Sequence, residues 1–495
     1  MKITNVGKII EIKDGIAVAN GLSAVGYNEY VVVKTTSGKE VKGLAWNLEA
    51  DQVGIVLLGD ANLVHAGDTV SASLTEPSVT VSNEILGRVI DALGNPIDGA
   101  GDIKHKAAET VSLFKIAPGV IDRKDVTRPV QTGIKSIDAL TPIGRGQRQL
   151  IIGDRQTGKT AITIDTIINQ AQSSLEQGLP QIKCIYVAIG QKVSKVARIV
   201  EKLKQSGAFA YTTVVLAGAA ESAAMQYLAA YTGTAIGEYF ATKGEDALVI
   251  YDDLTKHAWA YREISLLLRR PPGREAYPGD IFYLHSSLLE RSVQFSDALG
   301  AGSLTALPIV ETQAGDVSAY IPTNIISITD GQIYLEADLF NAGIRPAINV
   351  GLSVSRVGGS AQIKPMKQVA GQLRLDLAQY RSLAAFAQFG SDLDAGTRQM
   401  LDRGARVSEI LKQPEFSPVS VSIQIILIYA GTKGYLDKMD LEDIKDWETL
   451  ITSRLQNNYR ELLKTIATCK QLDEKIEKEM ITVIEESLKK FIVAS

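Results

Sequence analysis

The sequence has few cysteines, no excess of basic residues and no long apolar run. The only two cysteines among the 495 residues, Cys184 and Cys469, lack metal-type spacing, so we expect neither a disulfide framework nor a cysteine metal site. The net charge of −4 argues against nucleic-acid binding as the main role. No apolar run approaches the roughly 18 residues that cross a bilayer. The first residues resemble neither a signal peptide nor a transit peptide.

The composition is that of an ordinary globular protein. Apolar residues make up 45% of the chain and charged residues 22%, which excludes a mainly disordered protein. A chain of 495 residues is too long for a single hydrophobic core. We therefore expect about two to four domains.

The N-terminal part is predicted to be a small β-barrel. Short apolar runs at residues 6–12, 16–19 and 54–58 alternate with turns rich in Gly and Asp. Strands at this regular spacing are typical of a barrel, but a sandwich gives the same pattern, so closure is left open. We place this domain at residues 1–76.

The central part, which we place at residues 77–368, is predicted to be an α/β domain. Residues 87–146 are rich in Gly, Pro and Asp, and we interpret them as a connector that joins the edge of the central sheet. Beyond it, apolar runs alternate with amphipathic helical stretches as far as residue 357, which is typical of a parallel sheet. The candidate strands are 150–152, 184–189, 212–216, 247–251 and 303–307, and a helix is predicted over 193–204.

The C-terminal part, at residues 369–495, is predicted to be an α-helical bundle. Long helical patterns of mixed charge occur at residues 373–389, 447–463 and 472–491. The last pattern has Lys and Glu four residues apart, which we interpret as a solvated helix face.

The most informative motif is GDRQTGKT at residues 153–160, which fits the P-loop pattern Gly-x-x-x-x-Gly-Lys-[Ser/Thr]. A predicted strand leads into it and a helical pattern follows at residues 161–168. In such a loop backbone N–H groups face the phosphates, Lys159 reaches the terminal phosphates and the Thr160 hydroxyl holds Mg²⁺. The N-terminal dipole of the next helix also favours an anion. The predicted nucleotide-binding residues are Gly153, Asp154, Arg155, Gln156, Thr157, Gly158, Lys159 and Thr160.

Two carboxylates, Asp252 and Asp253, end the predicted strand 247–251 in the manner of a Walker-B strand. A carboxylate there binds Mg²⁺ through water, because Mg²⁺ retains most of its water ligands. The alternative is that one or both cap the following helix. We expect the metal role for Asp252 and leave Asp253 open.

Four motifs together resemble the α subunits of rotary F-type ATP synthases. They are the P-loop, RRPPGREAYPGD at 269–280, ETQAGD at 311–316 and PAINVGLSVS at 346–355. The resemblance runs from about residue 6 to at least residue 436. It implies three domains: a β-barrel, a P-loop α/β domain with a RecA-like parallel sheet, and a C-terminal helical bundle.

The resemblance also implies cofactors, partners and a location. ATP or ADP would bind with Mg²⁺, and no nucleic acid would be a partner. Three copies would alternate with three catalytic β subunits around a central γ stalk, and a δ-type or OSCP-type subunit would join the head to the peripheral stalk. The proton-translocating assembly would lie peripherally on an energy-transducing membrane. That membrane would be the bacterial plasma membrane, on its cytoplasmic side, or alternatively the mitochondrial inner membrane or the thylakoid.

Gln191 indicates that the site on this chain is non-catalytic. ATP hydrolysis requires a group that positions and activates the attacking water. In the family's catalytic β subunits a glutamate in a Gly-Glu-Arg segment does this, whereas the comparable segment here is Gly190-Gln191-Lys192. An amide does not accept a proton as a carboxylate does, although glutamine orients water in some GTPases. We therefore expect nucleotide binding without turnover.

Arg356 matches the family's arginine finger, which projects into the active site of the neighbouring β subunit. A guanidinium suits that task because it is always charged and forks onto phosphoryl oxygens. Without the resemblance, an Arg paired with a local carboxylate would be the simpler interpretation. In other systems such a finger contributes roughly 10³–10⁵ in rate.

The positions around the nucleotide base are also implied by the resemblance. Phe340, Arg345 and Pro346 match the family's residues there. Gln413 matches one of two glutamines that reach the adenine, and Glu415 stands at the second position. A carboxylate accepts from the exocyclic amine but donates nothing, so the effect on adenine binding is left open.

Three alternatives stay open. A hexameric P-loop motor on nucleic acid, similar to a termination helicase, shares the barrel-first order but needs a basic groove with aromatic residues. The acidic balance and the absence of Lys/Arg clusters in the predicted barrel count against it. Gln191 counts against a self-sufficient catalytic ATPase subunit, and secretion-type or vacuolar-type relatives are minor alternatives. The coupling ion, the favoured direction of the reaction and the attachment of the peripheral stalk are left open.

Overall fold

The computed structural model describes residues 5–387 and 394–494, which form two compact units. Within the described residues, unit 1 comprises 5–123, 183–311 and 317–328, and unit 2 comprises 124–182, 312–316, 329–387 and 394–494. The strands are β1 (Val6–Lys13), β2 (Ile16–Asn20), β3 (Tyr30–Lys34), β4 (Glu40–Leu48), β5 (Val53–Leu57), β6 (Thr69–Ala72), β7 (Ser78–Val81), β8 (Val89–Ile90), β9 (Glu109–Ser112), β10 (Pro129–Val130), β11 (Ile143–Gly144), β12 (Leu150–Gly153), β13 (Lys183–Gln191), β14 (Thr212–Gly218), β15 (Asp246–Asp252), β16 (Val293–Gln294), β17 (Ser303–Glu311), β18 (Gly331–Leu335) and β19 (Val354–Ser355).

The α-helices follow the same chain order. They are α1 (Lys135–Leu140), α2 (Lys159–Gln177), α3 (Val193–Gln205), α4 (Ala223–Thr242), α5 (Leu254–Leu267), α6 (Ile281–Leu289), α7 (Tyr320–Ile328), α8 (Ala337–Asn341), α9 (Lys364–Ala370), α10 (Leu373–Ala387), α11 (Ala395–Leu411), α12 (Val421–Thr432), α13 (Ile444–Asn458), α14 (Arg460–Thr468) and α15 (Glu474–Ala494).

Unit 1 begins with a closed six-stranded barrel in the order β1-β2-β5-β4-β3-β6. The barrel closes because β6 also pairs with β1, antiparallel. β3 alternates as a half-buried sheet requires: Val31 and Val33 are fully buried, while Lys34 is exposed. The predicted barrel is therefore confirmed, and the sandwich alternative is excluded.

The rest of unit 1 contains a parallel sheet in the order β8-β14-β13-β15-β17. Every residue of β15 is buried, which explains why its sequence is a continuous apolar run rather than an alternating one. β8 pairs with β14 at the edge of the sheet, so within the predicted connector residues 89–90 join the sheet edge. The predicted strands 184–189, 212–216, 247–251 and 303–307 all form, and so does the predicted helix at 193–204.

Unit 2 contains a smaller set of strands that leads to the predicted site. β12 pairs parallel with β18, and β19 pairs antiparallel with the other edge of β18. β12 leads into the P-loop, and Arg356 directly follows β19. Because β18 pairs with both strands, it fixes the distance between the P-loop and the segment that carries Arg356.

The remainder of unit 2 is largely helical, from α9 to α15. The predicted helix over 447–463 is wrong in one respect, because it is two helices that meet at Tyr459. This residue has φ −126° and ψ 37°, outside the helical region, and it follows two asparagines, which are poor helix formers. The pattern at 472–491 forms α15. The pattern at 373–389 forms α10, although residues 388 and 389 lie outside the described residues.

The most apolar helix of unit 2 is α12, and it lies in the core. All its residues from Val421 to Gly431 are buried, and its Ile and Leu side chains pack with Trp447 of α13 and Ile484 of α15. Within residues 5–387 and 394–494, no helix is both long and apolar enough to cross a membrane.

Candidate nucleotide-binding site

The P-loop in unit 2 connects β12 to α2, and its glycines are required by the backbone. Gly158 has φ 96°, in the left-handed region that favours glycine. A Cβ on Gly153 would lie 2.4 Å from the carbonyl oxygen of Leu335, so no side chain fits there. The conformation that the motif predicts is therefore built into the loop itself.

Lys159 begins α2 and is 7% exposed. Its ammonium donates to the carbonyl oxygen of Gly153 at 2.8 Å and also to that of Asp154. The Thr157 hydroxyl donates to the same Asp154 oxygen at 2.8 Å. A buried ammonium thus lies at the N-terminus of α2, where the helix dipole also favours an anion. Thr160 follows in the first turn, and this donor set fits a phosphate group with its Mg²⁺.

The other side chains of the motif differ in their surroundings. The carboxylate of Asp154 accepts hydrogen bonds from the Thr312 hydroxyl at 2.6 Å and from the Gly315 N–H at 3.0 Å. It therefore holds the 312–315 turn in place, which is a structural reason for an acid within the loop. Arg155 and Gln156 are exposed at the tip.

A partly open cavity lies beside the P-loop within unit 2. The structure brings all five residues predicted around the base to this cavity, together with Thr157 and Gly158. The guanidinium of Arg345 lies over the Phe340 ring, 4.3 Å from its centroid. A flat, partly apolar wall of this kind suits a nucleotide base. The cavity-lining residues among those predicted are Phe340, Arg345, Pro346, Gln413 and Glu415.

Sequence reasoning missed several residues that line the cavity. Ala161, Ile162 and Asp165 lie on one face of α2, and Ile134 precedes α1. These three residues are spaced i, i+1 and i+4 just after Lys159, and this spacing could have indicated the face of α2 that lines the cavity. Nothing local in the sequence indicated Ile134, because it is remote from the motif along the chain.

The acidic element belongs to unit 1, where Asp252 ends β15 and is 2% exposed. One carboxylate oxygen accepts from the Tyr186 hydroxyl at 2.6 Å, and the other accepts from the side-chain amide of Gln191 at 2.8 Å. The Lys195 ammonium lies 3.7 Å away. This carboxylate fits the predicted contact with Mg²⁺ through water, because Mg²⁺ retains most of its water ligands.

Asp253 caps the next helix. Its carboxylate accepts from the backbone N–H of Lys256 at 2.8 Å and lies 2.9 Å from the Lys256 ammonium. Burial raises the pKa of Asp253 to about 6, although Lys256 opposes the shift. The capping interpretation therefore applies to the second carboxylate of the pair.

Gln191 lies at the end of β13 and is 6% exposed. Its amide nitrogen donates to Asp252, and its amide oxygen accepts from the Lys195 ammonium at 3.2 Å. A glutamate could not donate to Asp252 in this way. The amide thus fits its surroundings as a hydrogen-bond donor, a task that a carboxylate general base could not share.

Arg356 is exposed, and its backbone is firmly held within unit 2. Its N–H donates to the Asp330 carbonyl at 2.8 Å, and the Asp330 carboxylate pairs with Arg148 at 2.9 Å. The preceding Ser355 hydroxyl donates to the Pro142 carbonyl at 2.7 Å. Within the described ranges, the Arg356 guanidinium makes no hydrogen bond or ion pair. The structure therefore gives no support to an Arg paired with a local carboxylate.

Family models match the chain in three consecutive segments. They are the beta-barrel domain of the ATP synthase alpha/beta family at residues 3–73, its nucleotide-binding domain at residues 133–355, and the C terminal domain of the ATP synthase alpha/beta chain at residues 362–487. The chain belongs to the ATP synthase alpha/beta family. The order of the three matches is the order of barrel, α/β domain and helical domain predicted from the sequence.

Relatives that match nearly the whole chain show which subunit type of the ATP synthase alpha/beta family it is similar to. An ATP synthase subunit alpha of Dehalococcoides mccartyi is 57% identical over 494 residues, covering 100% of this chain and 96% of the relative. One of Rickettsia bellii is 57% identical over 492 residues, covering 99% and 95%. The chain is thus an ATP synthase α subunit, part of an ATPase complex. Membership of this subunit type excludes the alternative of a hexameric P-loop motor that acts on nucleic acid.

Proposed function

We propose that this α subunit binds Mg-ATP or Mg-ADP without hydrolysing it and plays a regulatory and structural part in the soluble head of a proton-translocating F-type ATP synthase. It also lends Arg356 to the active site of a neighbouring catalytic β subunit, where ATP is made and hydrolysed. The observation that supports the proposal is the side chain of Gln191: it is a buried amide that donates to Asp252, and an amide cannot act as a general base as a glutamate would.

The nucleotide would be held by the P-loop residues 153–160 and by the base cavity. Lys159 and the N-terminus of α2 complement the phosphate charge. Mg²⁺ would neutralise part of that charge, with the Thr160 hydroxyl as a ligand and Asp252 as an acceptor from its water shell. The hydrogen bonds that Asp252 accepts from Tyr186 and Gln191 keep the carboxylate oriented for that purpose.

The role of Arg356 rests on its exposure together with its fixed backbone. An exposed guanidinium without partners in the described part of the chain is available to a neighbouring subunit. The backbone bond to Asp330 fixes the direction from which the side chain starts. A positioned guanidinium stabilises the charge that develops on a transferring phosphoryl group.

Membership of the family supports a proposal for the assembly and for its location. The chain would alternate with catalytic β subunits in a three-plus-three ring around the γ stalk, and a δ-type or OSCP-type subunit would attach the ring to the peripheral stalk. The head would lie peripherally on an energy-transducing membrane, with the cytoplasmic side of a bacterial plasma membrane as the first choice.

The purified full-length chain tests the binding part of the proposal. Equilibrium binding of Mg-ATP should approach one nucleotide per chain, and phosphate release should stay at background, because no general base serves the site. Lys159→Ala should abolish most of the binding. Turnover by the lone chain at an ordinary enzymatic rate, about 1 s⁻¹ or more, would contradict the proposal, and so would a failure to bind any nucleotide.

A further inference from the structure

The side chain of Gln413 is engaged within the wall of the base cavity. Its amide nitrogen donates to the carbonyl oxygens of Gly133 and Ser417, each at 2.8 Å, and its amide oxygen accepts from the Lys135 N–H at 3.1 Å. A side-chain amide has two N–H donors, so neither is left for a purine nitrogen. Gln413 is therefore a positioning residue that ties residues 413–417 to the 133–135 turn.

Two carboxylates line the same cavity. Asp165 is 4% exposed, and one of its oxygens accepts the backbone N–H of Phe416 at 3.2 Å. This bond fixes the segment that carries Glu415, which is exposed at the cavity rim. Glu415 therefore presents a hydrogen-bond acceptor from a loop held at both Gln413 and Phe416.

Donors are scarce among the side chains that line the cavity. The Thr157 hydroxyl donates to the Asp154 carbonyl, and both N–H groups of Gln413 are used as described. Of the lining side chains in the described part of the chain, Arg345 is left as the donor. The cavity thus offers one cationic donor group and carboxylate acceptors.

Guanine and adenine present different edges to such a site. Guanine carries two adjacent donors, N1–H and the N2 amine, beside the acceptor O6, whereas adenine carries one donor, the N6 amine, beside the acceptor N1. A carboxylate takes both guanine donors in a bidentate, charge-assisted pair. With adenine it accepts one hydrogen bond and faces the lone pair of N1.

We propose that this cavity accepts guanine nucleotides at least as tightly as adenine nucleotides, and that Glu415 determines this preference. Glu415 accepts from N1–H and the N2 amine of guanine, and Arg345 donates to O6. The inference rests on the proposed function, because it concerns the base of the nucleotide that this chain would hold.

Three nucleotides that differ only in the base test the inference on the full-length chain: Mg-ATP, Mg-GTP and Mg-ITP. The dissociation constant for Mg-GTP should equal or fall below that for Mg-ATP. Mg-ITP should bind about tenfold more weakly than Mg-GTP, because hypoxanthine lacks the N2 amine and so loses one bond to a charged acceptor. Equilibrium dialysis measures all three constants under the same conditions.

Glu415→Gln supplies the matched variant, and Glu442→Gln is its control. The first should weaken Mg-GTP about tenfold without weakening Mg-ATP, because an amide keeps a single acceptor and adds a donor for adenine N1. Glu442 is exposed and does not line the cavity, so removing its charge should leave the GTP-to-ATP ratio unchanged.

Two results would overturn the inference alone: tighter binding of Mg-ATP than of Mg-GTP by the unaltered chain, or an unchanged ratio in Glu415→Gln. Loss of binding for all three nucleotides would refute the proposed function together with the inference. The two failures are therefore distinguishable in one set of measurements.

Discussion

At the scale of single residues, the side-chain amide of Gln191 is a main hydrogen-bond partner of the buried Asp252 carboxylate in unit 1. Gln191 donates to Asp252 at 2.8 Å while Tyr186 donates to the other oxygen at 2.6 Å, so the buried carboxylate is satisfied by neutral donors. A buried carboxylate left without hydrogen-bond donors would destabilise the fold. Gln191 thus has a structural role, because it supplies one of the hydrogen bonds that the buried Asp252 carboxylate accepts.

Replacing Gln191 by Glu should destabilise the protein. The substitution turns a donor into an acceptor that faces Asp252, and Lys195 offsets only part of the repulsion because its side chain is 43% exposed. We expect the free energy of unfolding to fall by about 2 kcal/mol, measured as a lower urea midpoint. Gln399→Glu, on the exposed surface of α11, is the charge-matched control. Equal midpoints for Gln191→Glu and the unaltered chain would show that the hydrogen bond contributes nothing.

At the scale of elements, two buried histidines join α5 to α6. His257 Nε2 lies 3.1 Å from the Tyr227 carbonyl, which only accepts, so Nε2 carries the proton and Nδ1 accepts from His285 at 3.4 Å. Burial lowers the pKa of His257 to about 4, and it lowers the pKa of His285 well below the usual value. Both imidazoles are therefore neutral in the folded protein.

The stability of unit 1 should consequently fall in mild acid. A histidine whose pKa is lower in the folded state contributes stability that is present above about pH 6.5 and is lost as the pH falls towards 4. For His257 alone the loss is about 3 kcal/mol. In His257→Gln, which keeps a donor for the Tyr227 carbonyl, the urea midpoint should change less between pH 6.5 and pH 4. Identical pH profiles for the variant and the unaltered chain would contradict this assignment.

The elements also show which features the sequence could predict. The buried strands of the sheet and the helix after the P-loop were predictable, because apolar runs and the motif are local signals. Closure of the barrel was not, since pairing of β1 with β6 joins residues that are far apart along the chain. The helix break at Tyr459 was missed because the apolar spacing continues across it.

The features of the candidate site also divide into those that the sequence could predict and those that it could not. Its P-loop residues come from one motif, and the base residues came from the family resemblance. The hydrogen bonds that occupy Gln413 depend on Gly133 and Lys135, which only the folded chain brings near. The capping role of Asp253 could be weighed but not decided from sequence, because either carboxylate of the pair could begin the helix.

At the scale of the whole molecule, the chain is an α subunit whose proposed contribution to catalysis lies outside its own nucleotide site. The domain boundaries at 76/77 and 368/369 remain predictions. The central claim is that Arg356 acts in the active site of a neighbouring subunit. Its guanidinium is exposed, while hydrogen bonds at Asp330 and Ser355 hold its backbone in place. The effect of the residue should therefore appear only in the complex.

Arg356→Ala in the assembled complex is the measurement that tests this claim most directly. ATP turnover should fall by about 10³-fold or more, as for arginine fingers elsewhere, while the nucleotide bound to this chain stays in place. Arg398→Ala, an exposed arginine on α11, should leave turnover unchanged. A complex with Arg356→Ala that turns over within a few-fold of the unaltered one would contradict the account.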